Sequence, residues 1–245
     1  MRVVSLVPSL TEAVAVSAPA VLVGATDWCT HTAGLDPPRV GGTKSPSVEA
    51  VLALHPDLVL ANEEENRPVD IDALRAAGVD VDVTNVRTLD QGLAELRRVL
   101  ERLGVRPDWL ARAEEAWAPS YDGPRRTALV PIWRRPWMAL GSDTFAGDLL
   151  ARLGVDNVLA SSAERYPRFD IAAVPAVDVV VLPDEPYAFA ADDGPEAFSA
   201  PSALVSGRHL TWYGPSLVEA RETLLGQLSV TVAPGSSRGA HGLRR

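Results

Sequence analysis

The sequence predicts an α/β protein made of two lobes, each built around a parallel sheet. Short apolar runs alternate with helical patterns in the first part of the chain, and the alternation resumes near its end. Because parallel strands need crossover helices, this alternation is typical of parallel sheets covered on both faces. A helical stretch without a strand separates the two parts. We expect an N-terminal lobe (residues 1–88), a helical connector (89–122), a C-terminal lobe (123–231) and a disordered tail (232–245).

In the first lobe, proline, glycine and small polar residues divide the apolar runs into separate elements. Pro8 closes the run RVVSLV, and Ser9 or Thr11 can cap the helix that follows. Ser45 or Ser47 can cap the helix in SPSVEAVLALHP, where apolar residues recur at helical spacing. The other predicted elements are the strand VLVGA, the strand DLVLA, a helix over residues 70–77 and the strand VDVDVTN.

Two helical patterns fill the connector, and the second lobe follows them. The patterns are TLDQGLAELRRVLERLG and RPDWLARAEEAWA, with no strand between them. The second lobe is predicted to contain the strand TALVPIW, a helix from Thr144 to Leu153, a helix near Ile171 to Val174, the strand VDVVVLP and a helix from Pro215 to Leu228. The final stretch, APGSSRGAHGLRR, has no periodicity, which predicts the disordered tail.

The two halves share a short internal similarity. Residues 48–66 and 171–189 both run helix, tight turn, apolar strand and acidic loop. In open α/β sheets, ligands bind beyond the carboxyl ends of the strands. Two lobes that face each other at these ends would enclose a ligand in an interlobe cleft.

Composition and charge exclude some functions. The chain has 245 residues, a net charge of −9 and a pI near 5.0, so it offers no field that attracts nucleic acid. The start MRVVSLVPSLTEAV lacks a secretory signal, and no apolar run reaches the roughly 20 residues of a membrane span. As written, the chain is predicted to be cytoplasmic, or extracytoplasmic if the true start lies upstream.

Aromatic residues are concentrated in the loops predicted at strand ends. They include Trp28, Trp133, Trp137, Trp212 and Tyr213, although aromatics make up only 6% of the chain. Flat side chains with a few charged neighbours suit a large, partly planar ligand. The structural alternative is that these rings fill lobe interfaces.

The same loops contain residues that could form a metal site of mixed ligands. Cys29 and His31 could combine with Glu64 or Glu65, since all three residue types bind metals. A Cys-x-His pair on a loop matches no zinc signature, however. We therefore assign no metal ligands, and direct ligation by these residues stays an open alternative.

Motifs for catalysis and for phosphate binding are absent from the sequence. It contains no Gly-x-Ser-x-Gly elbow, no phosphate loop ending in Lys-Ser/Thr and no Gly-x-Gly-x-x-Gly turn. No nucleophile is paired with a base. The absence of these motifs argues against hydrolase and transferase chemistry.

The chain resembles the class III periplasmic substrate-binding proteins from about residue 2 to residue 228. These helical-backbone receptors serve iron-siderophore, haem and vitamin B12 importers, and the layout here is most similar to the cobalamin-binding receptors. The resemblance is carried by RVVSLVPSLTEAV, LVGATDWCTHTAG, RVGGTKSPSVEAVLALHPDLVLANEEENR, PWMALGSDTFAGDLLARLGVDNV and HLTWYGPSLVEA. It implies two α/β lobes joined by a single backbone helix, with a metal chelate such as cobalamin held between them as ligand.

Residue by residue, the resemblance places ligand contacts in both lobes. Trp28 matches a pocket aromatic, Lys44 replaces another, and Trp212 and Tyr213 match a loop of the second lobe. That loop lacks the acid and the arginine of cobalamin binders, so a different chelate remains open. The full predicted ligand-binding set is Trp28, Lys44, Glu64, Glu65, Asn66, Arg67, Trp133, Trp137, Tyr187, Trp212 and Tyr213.

The resemblance also implies a partner. Receptors of this family dock on an ABC importer permease through one glutamate in each lobe. Glu49 matches the first, but Ala172 occupies the second position. The expected protein is a monomeric, non-enzymatic solute-binding protein that requires no cofactor and binds a corrinoid, ferric siderophore or haem-like chelate. The alternatives are a cytoplasmic, chelatase-like protein that handles a tetrapyrrole or metal and, ranked last, a partner-binding scaffold.

Overall fold

The computed structural model describes residues 1–233 and divides into two compact units. The first unit comprises Met1–Ala118 together with Trp212–Val218, and the second comprises Pro119–Thr211 and the chain from Glu219 onward. The chain therefore passes between the units at more than one point. Among the described residues, none of the helices combines the length and apolar character that crossing a membrane requires.

The first unit holds the elements from β1 to α5. Its strands are β1 (Val3–Ser5), β2 (Leu22–Ala25), β3 (Gly41–Gly42), β4 (Ser45–Pro46), β5 (Leu58–Asn62) and β6 (Val81–Thr84). Its helices are α1 (Pro8–Ser17), α2 (Val48–Ala53), α3 (Pro68–Ala76), α4 (Leu89–Arg102) and α5 (Asp108–Trp117). The strands β3 and β4 form a small antiparallel hairpin apart from the main sheet.

The main sheet of the first unit is parallel, with the order β2-β1-β5-β6. All residues of the central strand β5 are buried. Val59 and Ala61 pack in a core cluster with Ile71 of α3. Leu58 and Leu60, which alternate with them along the strand, are also buried, so the opposite face is covered as well. The continuous apolar run of this strand follows from its two covered faces.

The second unit holds the remaining elements. Its strands are β7 (Arg126–Leu129), β8 (Pro131–Trp133), β9 (Met138–Ala139), β10 (Val155–Asn157), β11 (Val179–Pro183) and β12 (Ser202–Val205). Its helices are α6 (Phe145–Arg152), α7 (Gly207–Thr211) and α8 (Leu217–Ser229), the last of which begins in the segment assigned to the first unit. The strands β8 and β9 form an antiparallel hairpin.

The main sheet of the second unit is also parallel, with the order β10-β7-β11-β12. In both sheets the second strand lies at one edge, followed by the first, the third and the fourth. The strands β5 and β11 therefore hold equivalent positions. They are the two strands of the internal similarity, which the common topology explains. The predicted α/β fold with a parallel sheet in each lobe is confirmed.

Several local predictions need correction. The helix α1 begins at Pro8 itself, because proline fits the first helical position, and Val7 rather than Ser9 or Thr11 is the N-cap residue. The predicted strand TALVPIW is divided between β7 and the β8–β9 hairpin. Pro131 has no N–H to continue a ladder, which favours the break. The predicted helix at Ile171–Val174 is a single 3-10 turn over Ile171–Ala173.

The stretch predicted as a connector forms two helices, α4 and α5, without a strand between them. Both helices belong to the first unit. The Trp109 indole donates to Ser17 at 2.9 Å, and the Trp117 indole donates to the Leu217 carbonyl at 2.9 Å. The lobe boundaries and the connecting role of this stretch stay predictions. The predicted tail lies, from residue 234 onward, outside the described residues.

Candidate functional site

The loop that follows β5 is held in shape by two buried asparagines. The side-chain oxygen of Asn62 accepts hydrogen bonds from the backbone amides of Glu64 and Glu65, at 2.8 and 3.3 Å. The side-chain oxygen of Asn66 accepts a hydrogen bond from the backbone N–H of Asn62 at 2.8 Å, and its side-chain nitrogen donates to the Thr43 carbonyl at 2.9 Å. Both asparagines are buried. Asn66, which the sequence predicts as a ligand contact, therefore acts as a scaffold for this loop.

The three glutamates of this loop differ in environment. Glu63 is exposed and lies 3.5 Å from Arg87, and the Glu64 carboxylate lies 4.0 Å from the same guanidinium. Glu65 is only partly exposed. Burial raises the pKa of the Glu65 carboxyl, against the opposing effect of the Lys44 charge and with a further increase from Glu64. Of the three carboxylates, Glu65 is the one that the surrounding protein shields most.

The β3–β4 hairpin brings Lys44 and Trp28 to the same edge of the sheet. The Lys44 ammonium group donates to the backbone carbonyl of Glu64. The Trp28 side chain is 68% exposed, and its Nε1 atom lies 3.8 Å from the position that a Cβ on Gly42 would occupy. A large aromatic side chain exposed to this extent contributes little to the core. Trp28 therefore presents its ring to solvent at this edge, and its contact with a ligand stays a prediction.

Cys29 and His31 do not form a metal site. The Cys29 thiol is buried against the hydroxyls of Thr11 and Thr26, at 3.0 and 3.1 Å, and burial raises its pKa. His31 is exposed, and its ring meets that of Trp212 edge-on, with 5.1 Å between centroids. Across residues 1–233, no group of three or more His, Cys, Asp or Glu side chains is placed to hold a metal ion. The mixed site considered from the sequence is not assembled.

Tyr213 completes the carboxyl edge of the first sheet. Its hydroxyl lies 2.9 Å from the Asn62 amide nitrogen and 2.9 Å from the Thr84 hydroxyl, at the ends of β5 and β6. Burial raises the pKa of the Tyr213 phenol, so the ring stays neutral. A Cβ on Gly214 would lie 3.1 Å from the Ser9 carbonyl oxygen, which shows how closely this segment approaches α1. Tyr213 thus joins the ends of β5 and β6 through hydrogen bonds of its buried hydroxyl.

The second unit carries its own aromatic cluster at the β8–β9 hairpin. The Trp137 ring stacks on Phe189 with an interplanar angle of 4° and meets Phe198 edge-on. Trp133 is 42% exposed and meets Tyr187 edge-on at 5.7 Å. Trp137 is therefore part of the packed cluster, whereas Trp133 presents its ring at the surface.

The remaining predicted residues lie on helix starts. Arg67 forms two hydrogen bonds with Asp70, at 2.9 and 3.1 Å, in the first turn of α3. Glu49 is exposed in the first turn of α2, whose N-cap is Ser47. Ala172 is exposed in the 3-10 turn of the second unit. The ion pair with Asp70 holds the Arg67 side chain against the first turn of α3, whereas Glu49 presents a carboxylate at the surface.

The sequence analysis did not predict the roles of Asn62 and Arg134. Asn62 is the last residue of an apolar strand, and a single amide there gave no sign of its several hydrogen bonds. Arg134 stands between two tryptophans of the hairpin and forms ion pairs with Asp193 and Glu196. These partners are about 60 residues away in the sequence, so no local pattern could indicate them.

Comparison with known proteins agrees with the resemblance predicted from the sequence. Residues 3–120 match a protein family described as "Periplasmic binding protein". A vitamin B12-binding protein of Pectobacterium carotovorum is 24% identical over 264 residues, covering 96% of this chain and 91% of that protein. The vitamin B12-binding protein of Vibrio cholerae is 24% identical over 183 residues, covering 71% of this chain. The chain spans 66% of the length of that relative, just under two thirds.

Solved structures share the fold. The vitamin B12-binding protein BtuF of Vibrio cholerae superimposes with a TM-score of 0.70 at 20% identity, covering 93% of this chain and 96% of that one. The haem-binding protein BhuT, solved with two haems, gives a TM-score of 0.72 at 25% identity, with 93% and 97% covered. The resemblance to periplasmic binding proteins is thereby confirmed.

Proposed function

Because the chain carries the signature of the periplasmic binding proteins in residues 3–120 and shares their fold, we propose that it is a non-enzymatic solute-binding protein. Its ligand is a metal chelate of the corrinoid, ferric siderophore or haem-like class. The observation that carries the proposal is the exposed Trp28 at the carboxyl edge of the first sheet, where open α/β sheets bind ligands. Relatives named for binding vitamin B12 and haem support the ligand class.

Each unit contributes its own ligand-binding surface. In the first unit, Trp28 supplies a flat apolar face, and Lys44, Glu64 and Glu65 supply polar groups around it. In the second unit, Trp133 supplies an exposed ring supported by Tyr187. Stacking on aromatic faces with a few polar contacts at the rim suits a large, partly planar chelate.

The buried residues of the first unit have supporting roles in this proposal. Asn66 and Tyr213 hold the loops that present Trp28 and Glu65, and Trp212 packs against His31. Their substitution would weaken ligand binding indirectly, by releasing those loops.

A non-enzymatic role agrees with the chemistry of Cys29. A reactive thiol needs a lowered pKa and access to solvent. Cys29 is buried, and its pKa is raised. The one cysteine of the chain thus has the properties of a core residue.

The proposed partner is an ABC importer permease. The proposed location is outside the cytoplasm, because BtuF and BhuT, which share the fold, are named periplasmic proteins. Glu49 presents an exposed carboxylate on α2 as a docking group of the first unit. Glu49→Arg should abolish uptake in a reconstituted importer while leaving the ligand affinity unchanged. Unchanged uptake by this variant would exclude Glu49 as a docking residue.

A direct titration tests the proposed ligand class. Purified protein is titrated with cyanocobalamin, haemin and a ferric siderophore, and calorimetry gives the dissociation constant for each. At least one probe should bind with micromolar or tighter affinity and change the tryptophan fluorescence, because Trp28 and Trp133 are exposed. Absence of heat and of any fluorescence change with all three probes would refute the proposal.

A further inference from the structure

The β8–β9 hairpin presents Trp133 in a defined orientation. This ring is 42% exposed, yet it meets Tyr187 at an interplanar angle of 82° with 5.7 Å between centroids. Edge-to-face geometry of this kind is a favourable aromatic contact. The position of Trp133 therefore depends on how firmly Tyr187 is held.

Tyr187 is held by a carboxylate of the following loop. Its hydroxyl donates a 2.6 Å hydrogen bond to Oδ2 of Asp193. The other oxygen of Asp193 accepts a hydrogen bond from Arg134. Asp193 thus links a ring of the β11 loop to the hairpin, and hydrogen bonds of this kind to a carboxylate are stronger than neutral ones.

Arg134 is the centre of this network. Its side chain is only 16% exposed, its Nη2 atom lies 2.6 Å from Oε1 of Glu196, and its guanidinium lies 5.2 Å over the Trp137 ring. One guanidinium therefore pairs with the carboxylates of Asp193 and Glu196 and also lies over an aromatic face. The contacts run in sequence from Trp133 to Tyr187, Asp193, Arg134 and Trp137, and the hairpin backbone joins the two tryptophans.

Backbone hydrogen bonds fix the loop that carries the two carboxylates. Ala190 and Asp193 exchange backbone hydrogen bonds of 3.0 and 3.2 Å. Gly194 follows with φ of 133°, and a Cβ there would lie 2.8 Å from the Phe189 ring. Glycine is needed at this position because it admits both the backbone angle and the close approach. The acceptors of Arg134 are thus held in a fixed loop.

We propose that Arg134 is a positioning residue that fixes the Trp133–Tyr187 surface as a rigid stacking platform for the ligand. Its single positive charge is already paired with two carboxylates, Asp193 and Glu196, so Arg134 does not bind an anionic group of the ligand. The platform accordingly takes an uncharged, planar part of the chelate. Rigid support of a contact residue favours binding, because less ordering is needed when the ligand arrives. The ligand part of this inference rests on the proposed function.

The test compares Arg134→Met and Arg134→Lys with the wild type. Both variants should bind cyanocobalamin and haemin about tenfold more weakly, by the same factor for the two probes, since the single nitrogen of lysine cannot hold both carboxylates in the geometry of the guanidinium. In the ligand-free protein, Arg134→Met should alter the same near-UV circular dichroism band that Trp133→Phe removes. Arg125→Met is the matched control, because Arg125 also pairs with a carboxylate of the second unit, Asp156. It should change neither measurement.

The possible results separate the explanations. A loss confined to haemin, whose carboxylates are anionic, with an unchanged spectrum would make Arg134 an anion contact and overturn the inference. Unchanged affinity for both probes would overturn it as well. If Arg134→Met fails to fold, Asp193→Asn must show the same spectral change and the same loss. If the wild type binds neither probe, the affinities are compared with the ferric siderophore instead. If that probe also fails to bind, the proposed function fails, while the ligand-free spectra still decide whether Arg134 positions Trp133.

Discussion

The Asn62 side chain donates a 2.9 Å hydrogen bond to the phenol oxygen of Tyr213, which lies 151 positions further along the chain. The contact joins the end of β5 to the segment Trp212–Val218, which returns to the first unit late in the sequence. The same Nδ2 of Asn62 also donates to the Thr84 carbonyl, and its Oδ1 accepts from the backbone of the glutamate loop. One buried residue therefore connects three parts of the candidate site. The arrangement of that site therefore depends on the correct return of this segment.

Tyr213→Phe is expected to lower the free energy of unfolding by about 1–2 kcal/mol, because it leaves buried polar partners without their hydroxyl. Denaturant unfolding followed by circular dichroism measures the change. Tyr121→Phe is the control, since that hydroxyl bonds the Pro124 carbonyl in an exposed setting. If both substitutions lower the free energy of unfolding equally, the buried hydrogen bond with Asn62 stabilises the fold no more than an exposed one does.

Trp28→Ala is expected to weaken binding of the cognate chelate about tenfold, because it removes an exposed stacking face. The free energy of unfolding should stay within about 0.5 kcal/mol, since the side chain is 68% exposed. Calorimetric titration and denaturant unfolding give the two quantities. Val69→Ala removes another exposed apolar side chain of the first unit and should leave affinity unchanged. Intact affinity in Trp28→Ala would remove this residue from the site.

Glu65→Gln is expected to raise the free energy of unfolding at pH 7 by about 1 kcal/mol. Burial raises the pKa of Glu65 in the folded chain, so the ionised carboxylate lowers stability above that pKa. The advantage of the glutamine should vanish as the pH falls below about 4.3, the ordinary value for glutamate, because the carboxyl is then protonated in both states. Unfolding measured from pH 4 to pH 8 tests the dependence. Glu63→Gln, at an exposed neighbour, should show no such trend.

Asp82→Asn is expected to lower the free energy of unfolding at pH 7 by about 2 kcal/mol. Asp82 is buried in β6 and binds Arg98 at 2.6 Å and Arg102 at 3.0 Å, on the exposed side of α4. Burial opposes ionisation, but the hydrogen bonds and charges of these arginines outweigh it and lower the pKa of Asp82.

The contribution of Asp82 should therefore be present above about pH 3.9 and be lost as the pH falls through its lowered value. The difference between Asp82→Asn and the wild type should shrink in acid. Asp72→Asn, at an exposed position of α3, is the control and should have little effect at any pH. A penalty for Asp82→Asn that persists unchanged at pH 2 would contradict the ion-pair explanation.

Local sequence patterns predicted the elements that are marked by an apolar run, by turn residues or by a capping residue within their own segment. The apolar run 58–61 between a Pro-Asp turn and an acidic loop predicted β5, and Ser47 was among the two predicted caps of α2. The patterns failed where a short element depends on its neighbours. The strands β10 and β12 and the helix α7 have three to five residues each, too few to give a periodic signal. The two strands are stabilised by pairing with their neighbours in the sheet.

The sequence by itself determined that aromatic and acidic residues follow the strands of two similar halves, because strand ends can be located from apolar runs and turns. Only the tertiary structure decided which of those side chains face solvent. Neighbours on a turning segment point in different directions, so Asn66 is buried, Glu65 is partly shielded and Glu63 is exposed within four residues. The partners of Asn62 and Arg134 were likewise decided by the fold, because contacts over such separations leave no trace in a local pattern.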